Sequence, residues 1–310
     1  SINSKMIKKN DIFFAIKGKN KDGNKFVNEA LNKGASLAIV NKKNNKKYLG
    51  KQIKVKNSLN FLTKMSQIIR ISFSSKIIAI TGSCGKTSLK ELLKMTLNNF
   101  GKTLSSPKSF NNKYGVPLSL FNLNTDHDYG VFEVGMDKRG EIDSLSKIIK
   151  PDIGIITNIS YAHAKNFQNI KQIAIAKSEI INNINKDGFV VLNADDKFFY
   201  FHKKIANKKK LNILSFGMKK KADVKLVKIK KYKKKFKIFL SIHGRKKYFN
   251  ISNNFKNFIQ NLLGAIAVVS IYKNPIDLNE NIFYKFQTPD GRGDITKIKL
   301  RKKIINLIDE

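Results

Sequence analysis

Ile77-Ile78-Ala79-Ile80-Thr81-Gly82-Ser83-Cys84-Gly85-Lys86-Thr87-Ser88 is the stretch whose reading decides the fold. Its apolar start reads as a strand buried on both faces of a parallel sheet. A glycine turn follows, and then a helical pattern that runs from Ser88 to Phe100. A loop of this kind presents backbone N–H groups to phosphate oxygens, and the helix N-terminus adds partial positive charge. Lys86 reaches the terminal phosphates and the Thr87 hydroxyl can hold Mg²⁺. The general phosphate-loop pattern has a further glycine six residues before the lysine; Ile80 stands there, so the loop is a shortened form. Cys84 fills its variable position, where a thiol beside a helix N-terminus can react. Alkylation of Cys84 is expected to block nucleotide binding sterically.

Outward from this loop, the apolar runs 129–134, 153–157, 189–192 and 211–216 read as further strands. Helical patterns at 141–149, 170–184 and 195–205 separate most of them. The alternation predicts a parallel α/β sheet with helices on both faces. Beyond Ala222 the pattern turns to alternating β (224–251), followed by a long apolar helix over 255–272. Upstream, residues 1–72 read as a smaller α/β unit: a strand at 12–16, a polar loop at 17–25 and a helix ended by Gly34. A strand at 35–40, an exposed lysine-rich loop at 41–51 and a helix over 59–72 complete it. The expected organisation is an N-terminal domain over 1–72 and a phosphate-loop domain over 73–310, with an added antiparallel section.

The 310 residues carry 61 basic against 22 acidic side chains, a net charge of +39. Such a field attracts polyanions, so a nucleic-acid or membrane-surface binder has to be weighed. Only Arg70, Arg139, Arg245, Arg292 and Arg301 are arginines, however, and the rest are lysines. Readers of nucleic acid lean on the arginine fork, so most of this charge reads as solvated lysine faces, and no nucleic-acid partner is expected. The composition, 41% hydrophobic and 27% charged, excludes a disordered chain. No apolar run reaches the length of a membrane helix. The single cysteine excludes an internal disulfide framework or a cysteine-based zinc site. A cytoplasmic setting without membrane insertion is the simplest expectation.

Two more side chains fall where a parallel sheet places ligands, beyond the carboxyl ends of its strands. Glu133 closes the run Tyr129-Gly130-Val131-Phe132-Glu133, from where a carboxylate can reach Mg²⁺ beside a nucleotide. His163 follows the strand at 153–157 through a short loop. Lys177 lies on the next helix, but among so many lysines its spacing does not single it out.

Taken in order, these residues resemble the ATP-dependent Mur ligases of peptidoglycan synthesis. The resemblance rests on the loop Thr81–Ser88, with Gly82, Ser83, Cys84, Gly85, Lys86 and Thr87. It continues through Asn111-Asn112-Lys113-Tyr114-Gly115-Val116-Pro117, Phe132-Glu133-Val134-Gly135, Gly140-Glu141-Ile142, Thr157-Asn158-Ile159 with His163, and Ala176-Lys177-Ser178-Glu179. The opening, Asn3-Ser4-Lys5 through Asp22-Gly23 and Gly34-Ala35, is similar to the family's UDP-binding domain. The Asn111-Asn112 segment is most similar to the members that join D-alanyl-D-alanine to UDP-N-acetylmuramoyl-tripeptide.

The resemblance implies an ATP-dependent amide ligase acting on those two substrates, a monomer with two Mg²⁺ sites. Lys86 and Thr87 would bind the ATP phosphates, Thr87 and Glu133 one Mg²⁺, and His163 a second. Lys177 would be carbamylated by CO₂, which turns a cation into a carboxylate-like metal ligand. Ser88, Asn261 and Arg292 would lie near the nucleotide, and Ser4, Lys5, Asp22, Asn111 and Asn112 near the UDP-linked substrate. The sequence departs from the family's opening Asp-Ser-Arg, which is Asn3-Ser4-Lys5 here. It also departs in the segment before Asn261, where a glycine and a histidine are replaced. Set against the family pattern, the chain is expected to start inside the first domain and to stop before a third that carries the D-alanyl-D-alanine site. Weak nucleotide binding and little ligation are therefore expected of these residues alone. Three alternatives stay open: a nucleotide-binding remnant, another Mur ligase or a folylpolyglutamate synthase, and a basic nucleic-acid binder with an incidental loop.

Overall fold

A computed structural model of the chain describes residues 1–310 except 19, 44–45, 162–165, 233–234, 253–254, 256–257, 285, 287–293, 301–302 and 310. Contacts divide it into two compact units, Ser1–Phe73 with Pro117–Leu123, and Ser74–Val116 with Asn124–Glu310.

The first unit orders its strands β1 (Ile12–Phe14), β2 (Leu37–Val40) and β3 (Gln52–Lys54) as a parallel sheet. Phe13, Ala15, Ala38 and Val40 pack with Val27, Ala30 and Leu31 of and around helix α1 (Val27–Asn32). Gly34, at φ +101°, ends that helix in a conformation other residues resist. Helix α2 (Ser58–Ser72) starts where the Asn57 side chain accepts the Asn60 N–H. Residues 117–123 complete the unit: Phe121 meets Phe14 edge-on at 5.3 Å between ring centroids, and Ser66 donates to the Pro117 carbonyl. β3, directly after the stretch expected as an exposed loop, is an element the pattern did not reveal.

The second unit runs β4 (Lys76–Thr81), α3 (Lys86–Leu97), β5 (Thr103–Ser105), then α4 (Gly115–Leu120), whose residues from Pro117 belong with the first unit. It continues with β6 (Tyr129–Glu133), α5 (Glu141–Ile149), β7 (Ile153–Ile156), α6 (Ile170–Ser178), β8 (Phe189–Asn193), α7 (Phe199–Lys208) and β9 (Asn212–Gly217). Three long strands, β10 (Val224–Tyr232), β11 (Lys235–Ile242) and β12 (Arg245–Ile251), precede helix α8 (Ile259–Tyr272). A final hairpin pairs β13 (Asp294–Leu300) with β14 (Lys303–Asp309).

The main sheet has nine strands in the order β12-β11-β10-β9-β8-β7-β4-β6-β5. β5 through β10 are parallel, and β10, β11 and β12 extend the same sheet in antiparallel fashion. The mixed α/β class expected from the sequence is the one observed. Alternate residues of each strand serve opposite faces. Ile78, Ile80, Val131, Ile153 and Ile155 join one core with α3 and α8. On the other face Gly154 lies under Ile184, so close that a Cβ there would come within 2.7 Å of it. Helix α8 is apolar almost throughout because it is buried from Leu262 to Val269 without a break. Truncating Leu263 to alanine would cost about 2–5 kcal/mol.

Strand order reverses at β4, which has β7 on one side and β6 on the other. Crevices at such switch points, outside the carboxyl ends of the strands, are where open α/β sheets bind ligands. The phosphate loop leaves β4 at that point.

Several boundaries move. The helix expected over 195–205 is Phe199–Lys208, because Asp195 and Asp196 are spent on turns. Asp195 accepts from the N–H groups of Met218, Lys219 and Lys220, and Asp196 from those of Ile159 and Phe198. The helix expected over 170–184 is α-helical only to Ser178 and tightens to a 3₁₀ turn over Glu179–Asn183. The last long helix starts at Ile259 instead of Phe255. Among the described residues, no helix is long and apolar enough to cross a membrane.

Candidate active site

The loop between β4 and α3 keeps its shape through two glycines. Gly85 caps α3 at φ +81°, and a Cβ there would sit 2.7 Å from the Asn261 side chain. Gly82, at φ +148°, lies so close to Thr157 that a Cβ would fall 1.8 Å from its hydroxyl. Residues after β7 clasp the loop from behind. Thr157 Oγ1 donates to the Cys84 carbonyl at 2.7 Å, and the Asn158 amide both donates to that carbonyl and accepts the Cys84 N–H. Ser83 exchanges hydrogen bonds with the backbone of Ser160. Asn261, reaching over from α8, donates to the Gly85 carbonyl at 3.2 Å. Held from behind in this way, the loop presents the N-terminal end of α3, the part of a helix that attracts anions.

On the β6 side stands a buried carboxylate. Glu133 accepts from the Thr87 hydroxyl at 2.9 Å through Oε2 and from the Asn111 amide at 2.7 Å through Oε1. Thr87 and Glu133 are both buried, and Ser88 lies buried behind them in the first turn of α3. The β4–β6 register pairs Ile80 with Glu133, which puts this carboxylate on the face that α3 covers.

On the α6 side stand two amines. Lys86 Nζ donates to the carbonyls of Gly82 (3.0 Å) and Ser83 (3.4 Å). Lys177, fully buried near the end of α6, donates to the same Gly82 carbonyl at 2.9 Å. Burial first, and then the nearby Lys86 charge, lower the Lys177 amine to about 7, with Cys84 opposing them. A buried amine shifted this far is in part neutral, and so nucleophilic, at neutral pH.

A cavity of about 510 Å³ opens beside Lys86, lined by Asn111, Asn112, Tyr114, Asp137 and Glu141 among others. Asn112 shapes this wall: its side chain accepts the N–H groups of Tyr114 and Gly115 and so starts α4. Glu141 folds back onto the N–H groups of Asp137 and Lys138. Glu179, to which the sequence reading gave no role, accepts from Gly140 and Asp143 and anchors the start of α5.

The structure thus brings together Thr81, Gly82, Ser83, Cys84, Gly85, Lys86, Thr87, Ser88, Asn111, Glu133, Lys177 and Asn261. His163 and Arg292 lie outside the described residues. Among the described residues, no group of three or more His, Cys, Asp or Glu side chains is placed to hold a metal. The oxygen pair Thr87–Glu133 nevertheless suits Mg²⁺, which takes few protein ligands and completes its shell with water and phosphate. Thr157, Asn158 and Ser160 were missed as loop supports. Asn158 lies next to the quoted strand end, but only the folded chain shows what it touches.

The residues of the first unit expected to meet the UDP-linked substrate stand as follows. Ser4 is buried and donates to Glu29 at 2.9 Å, Lys5 is exposed, and Asp22 accepts from the backbone and side chain of Asn24. The Asn24 hydrogen bonds hold the Asp22 carboxyl below its ordinary range. A cavity of about 300 Å³ in this unit is lined by Ile16, Lys17, Asn41, Lys56 and Ser58 among others.

Comparison with known proteins places these features among relatives. Residues 80–269 match the Mur ligase middle domain, and residues 1–74 match a domain described as the Mur ligase family, catalytic domain. The chain is 36% identical over 302 residues to the UDP-N-acetylmuramoyl-tripeptide--D-alanyl-D-alanine ligase of Rickettsia prowazekii (strain Madrid E). That match covers 96% of this chain and 66% of the relative, so the chain spans just under two thirds of that protein's length. Among solved structures it is similar to MurF from Acinetobacter baumannii (TM-score 0.84, 28% identity, 99% of this chain and 66% of that one). It is also similar to the MurF ligase from Thermotoga maritima in complex with ADP (TM-score 0.81, 26% identity, 100% of this chain and 70% of that one).

Proposed function

Because this chain belongs to the Mur ligase family, we propose that it takes part in joining D-alanyl-D-alanine to UDP-N-acetylmuramoyl-tripeptide with ATP, in peptidoglycan precursor synthesis within the cytoplasm. The observation that carries this reading is the convergence of Lys86, Thr87, Glu133 and Asn111 at the carboxyl edge of β4 and β6. It is supported by the named Rickettsia prowazekii ligase and by the ADP-bound Thermotoga maritima neighbour.

A carboxylate is a poor acylating agent, so the tripeptide's carboxylate oxygen attacks the γ-phosphorus of ATP and the bond to ADP breaks. The loop N–H groups and the Lys86 ammonium hold the phosphoryl oxygens as charge builds on them. The free amine of D-alanyl-D-alanine then attacks the acyl carbon, loses a proton and expels phosphate. Amide, ADP and phosphate are the products. Thr87 Oγ1 and Glu133 Oε2 would hold one Mg²⁺, which when bound neutralises charge on the transferring group. Asn111 orients the Glu133 carboxylate for that task.

Lys177 fits a carbamate. Its amine is buried, its hydrogen bond goes to one carbonyl, and burial holds much of it neutral. The neutral nitrogen adds to the carbon of CO₂ and releases a proton, leaving an anion near the cationic Lys86. Asn261 and Ser88 would support the nucleotide from behind the loop. Lys5, exposed, and Asp22 would face the uridine-nucleotide end of the substrate. His163 and Arg292 keep the roles that the family resemblance implies, a second Mg²⁺ and a nucleotide contact.

The test is a turnover assay on the protein expressed from its native gene, with the tripeptide carboxylate labelled with ¹⁸O. One ¹⁸O atom is expected in the released phosphate, and only when D-alanyl-D-alanine is present. Amide formation with unlabelled phosphate would sink the acyl-phosphate route, and no amide formation would sink the ligase reading.

A further inference from the structure

Lys90 is a completely buried cation that the chemistry above leaves unused. It lies one turn beyond Lys86 on α3. Its Nζ donates to the Ser106 carbonyl at 2.7 Å and to the Lys108 carbonyl, and pairs with Glu91 Oε1 at 3.2 Å. An ammonium has three hydrogens, and these are three acceptors. Burying a charge is costly unless its partners are this complete, so the site is built to hold an ammonium.

What the ammonium grips is the segment that delivers Asn111. Lys108 has φ +45°, a left-handed conformation that a lysine adopts only where its surroundings impose it. Its carbonyl is one of the two that Lys90 binds. Ser106, whose carbonyl is the other, accepts the Glu133 N–H on its hydroxyl at 3.3 Å, and its own N–H goes to the Val131 carbonyl of β6. Five residues on, Asn111 donates to Glu133 Oε1, and its carbonyl accepts the Gly135 N–H at 2.8 Å. A Cβ at Gly135 would come within 2.9 Å of the Asn111 side chain, so the seat is tight. One buried lysine on the phosphate-loop helix therefore fixes the loop that aims the carboxylate beside that helix's own Thr87.

We propose that Lys90 is a positioning residue: by clamping the 106–108 turn it sets the Asn111–Glu133–Thr87 geometry that takes the nucleotide's Mg²⁺. This rests on the reading that Glu133 and Thr87 bind that ion. Affinity for a fluorescent ATP analogue, measured with and without Mg²⁺ on the whole chain, separates this role from plain fold support. Lys90→Gln and Lys90→Met are expected to cut the Mg²⁺-dependent gain in affinity about tenfold, while Mg²⁺-free affinity changes less than about twofold. Glu91→Gln, which removes only the charge of the partly exposed partner and keeps an acceptor, should leave the gain intact. An unchanged gain in a folded lysine variant, with only a lowered melting temperature, overturns the proposal. If both lysine variants unfold, Ser106→Ala decides: a gain reduced about threefold supports the relay through Ser106, and an unchanged gain overturns it. A wild-type protein whose affinity ignores Mg²⁺ would instead overturn the reading of Glu133 and Thr87 on which this depends.

Discussion

On the β6 side of the phosphate loop the Glu133 carboxylate is met by a hydroxyl and an amide, whereas on the α6 side the amines of Lys86 and Lys177 converge on the single carbonyl of Gly82. The first flank is satisfied as it stands: both carboxylate oxygens have neutral donors, and a cation has only to turn the Thr87 hydroxyl hydrogen away from Glu133 to meet both oxygens. On the second, burial and, less strongly, the Lys86 charge disfavour charge on Lys177. An anion placed there, whether phosphate on Lys86 or a carbamate on Lys177, relieves the repulsion. The loop thus sits between a flank prepared for a metal and a flank prepared for negative charge.

The largest effect that could break this comparison is Lys86→Ala. Loss of the ammonium that meets the phosphates should weaken ATP binding by about a hundredfold or more, with helical content unchanged by circular dichroism. Glu133→Gln comes next. It keeps the volume and an acceptor for Asn111 but removes the charge, so Mg²⁺-dependent ATP affinity should fall about ten- to a hundredfold while Mg²⁺-free affinity stays. Equal loss with and without the metal would mean that the two flanks do not divide their labour in this way.

Lys177→Met sharpens the other side. The folded-state pKa of Lys177, about 7, lies below the ordinary 10.5. Between these values the unfolded chain holds the extra proton, so this residue makes stability rise with pH across that window. Urea midpoints of the wild type should therefore climb more steeply from pH 7 to 10 than those of Lys177→Met. The variant should also lose any carbamate ¹³C signal that the wild type shows in labelled bicarbonate. The smallest effect concerns the support of α6. His202 on α7 is buried, its Nε2 lies 3.1 Å from the Ala174 carbonyl, and burial lowers its pKa below 6.5. Its contribution to stability is complete above pH 6.5 and is lost as pH falls below that. His202→Gln should flatten the acid side of the stability profile, read as urea midpoints below pH 6.5.

Much of this was legible in the residues. The run Ile77–Ile80 and the helix Glu141–Ile149 stand where their patterns put them, because continuous burial and a full amphipathic stripe leave little choice. The short edge strand β5 was not legible, since three residues carry no period. Nor was α4, which begins with a glycine and holds Pro117 in its first turn. Asp195 and Asp196 misled the reading: they look like a helix start, yet their carboxylates serve backbone N–H groups of distant loops. In the site, Lys86, Thr87 and Glu133 follow from loop chemistry and strand ends. Lys177 was reachable only through family resemblance, since one lysine among so many bears no local mark. Lys90 and the Thr157–Ser160 clasp become visible only when partners 16 to 77 residues away are brought alongside.

The most direct test of the central account is a calorimetric titration of the chain with MgATP at increasing NaCl. The account predicts one site per chain and an affinity that declines gently with salt, because the phosphates meet a built loop. Several ATP molecules per chain, with a steep salt dependence matched by unrelated DNA, would contradict it and assign the binding to the +39 surface instead.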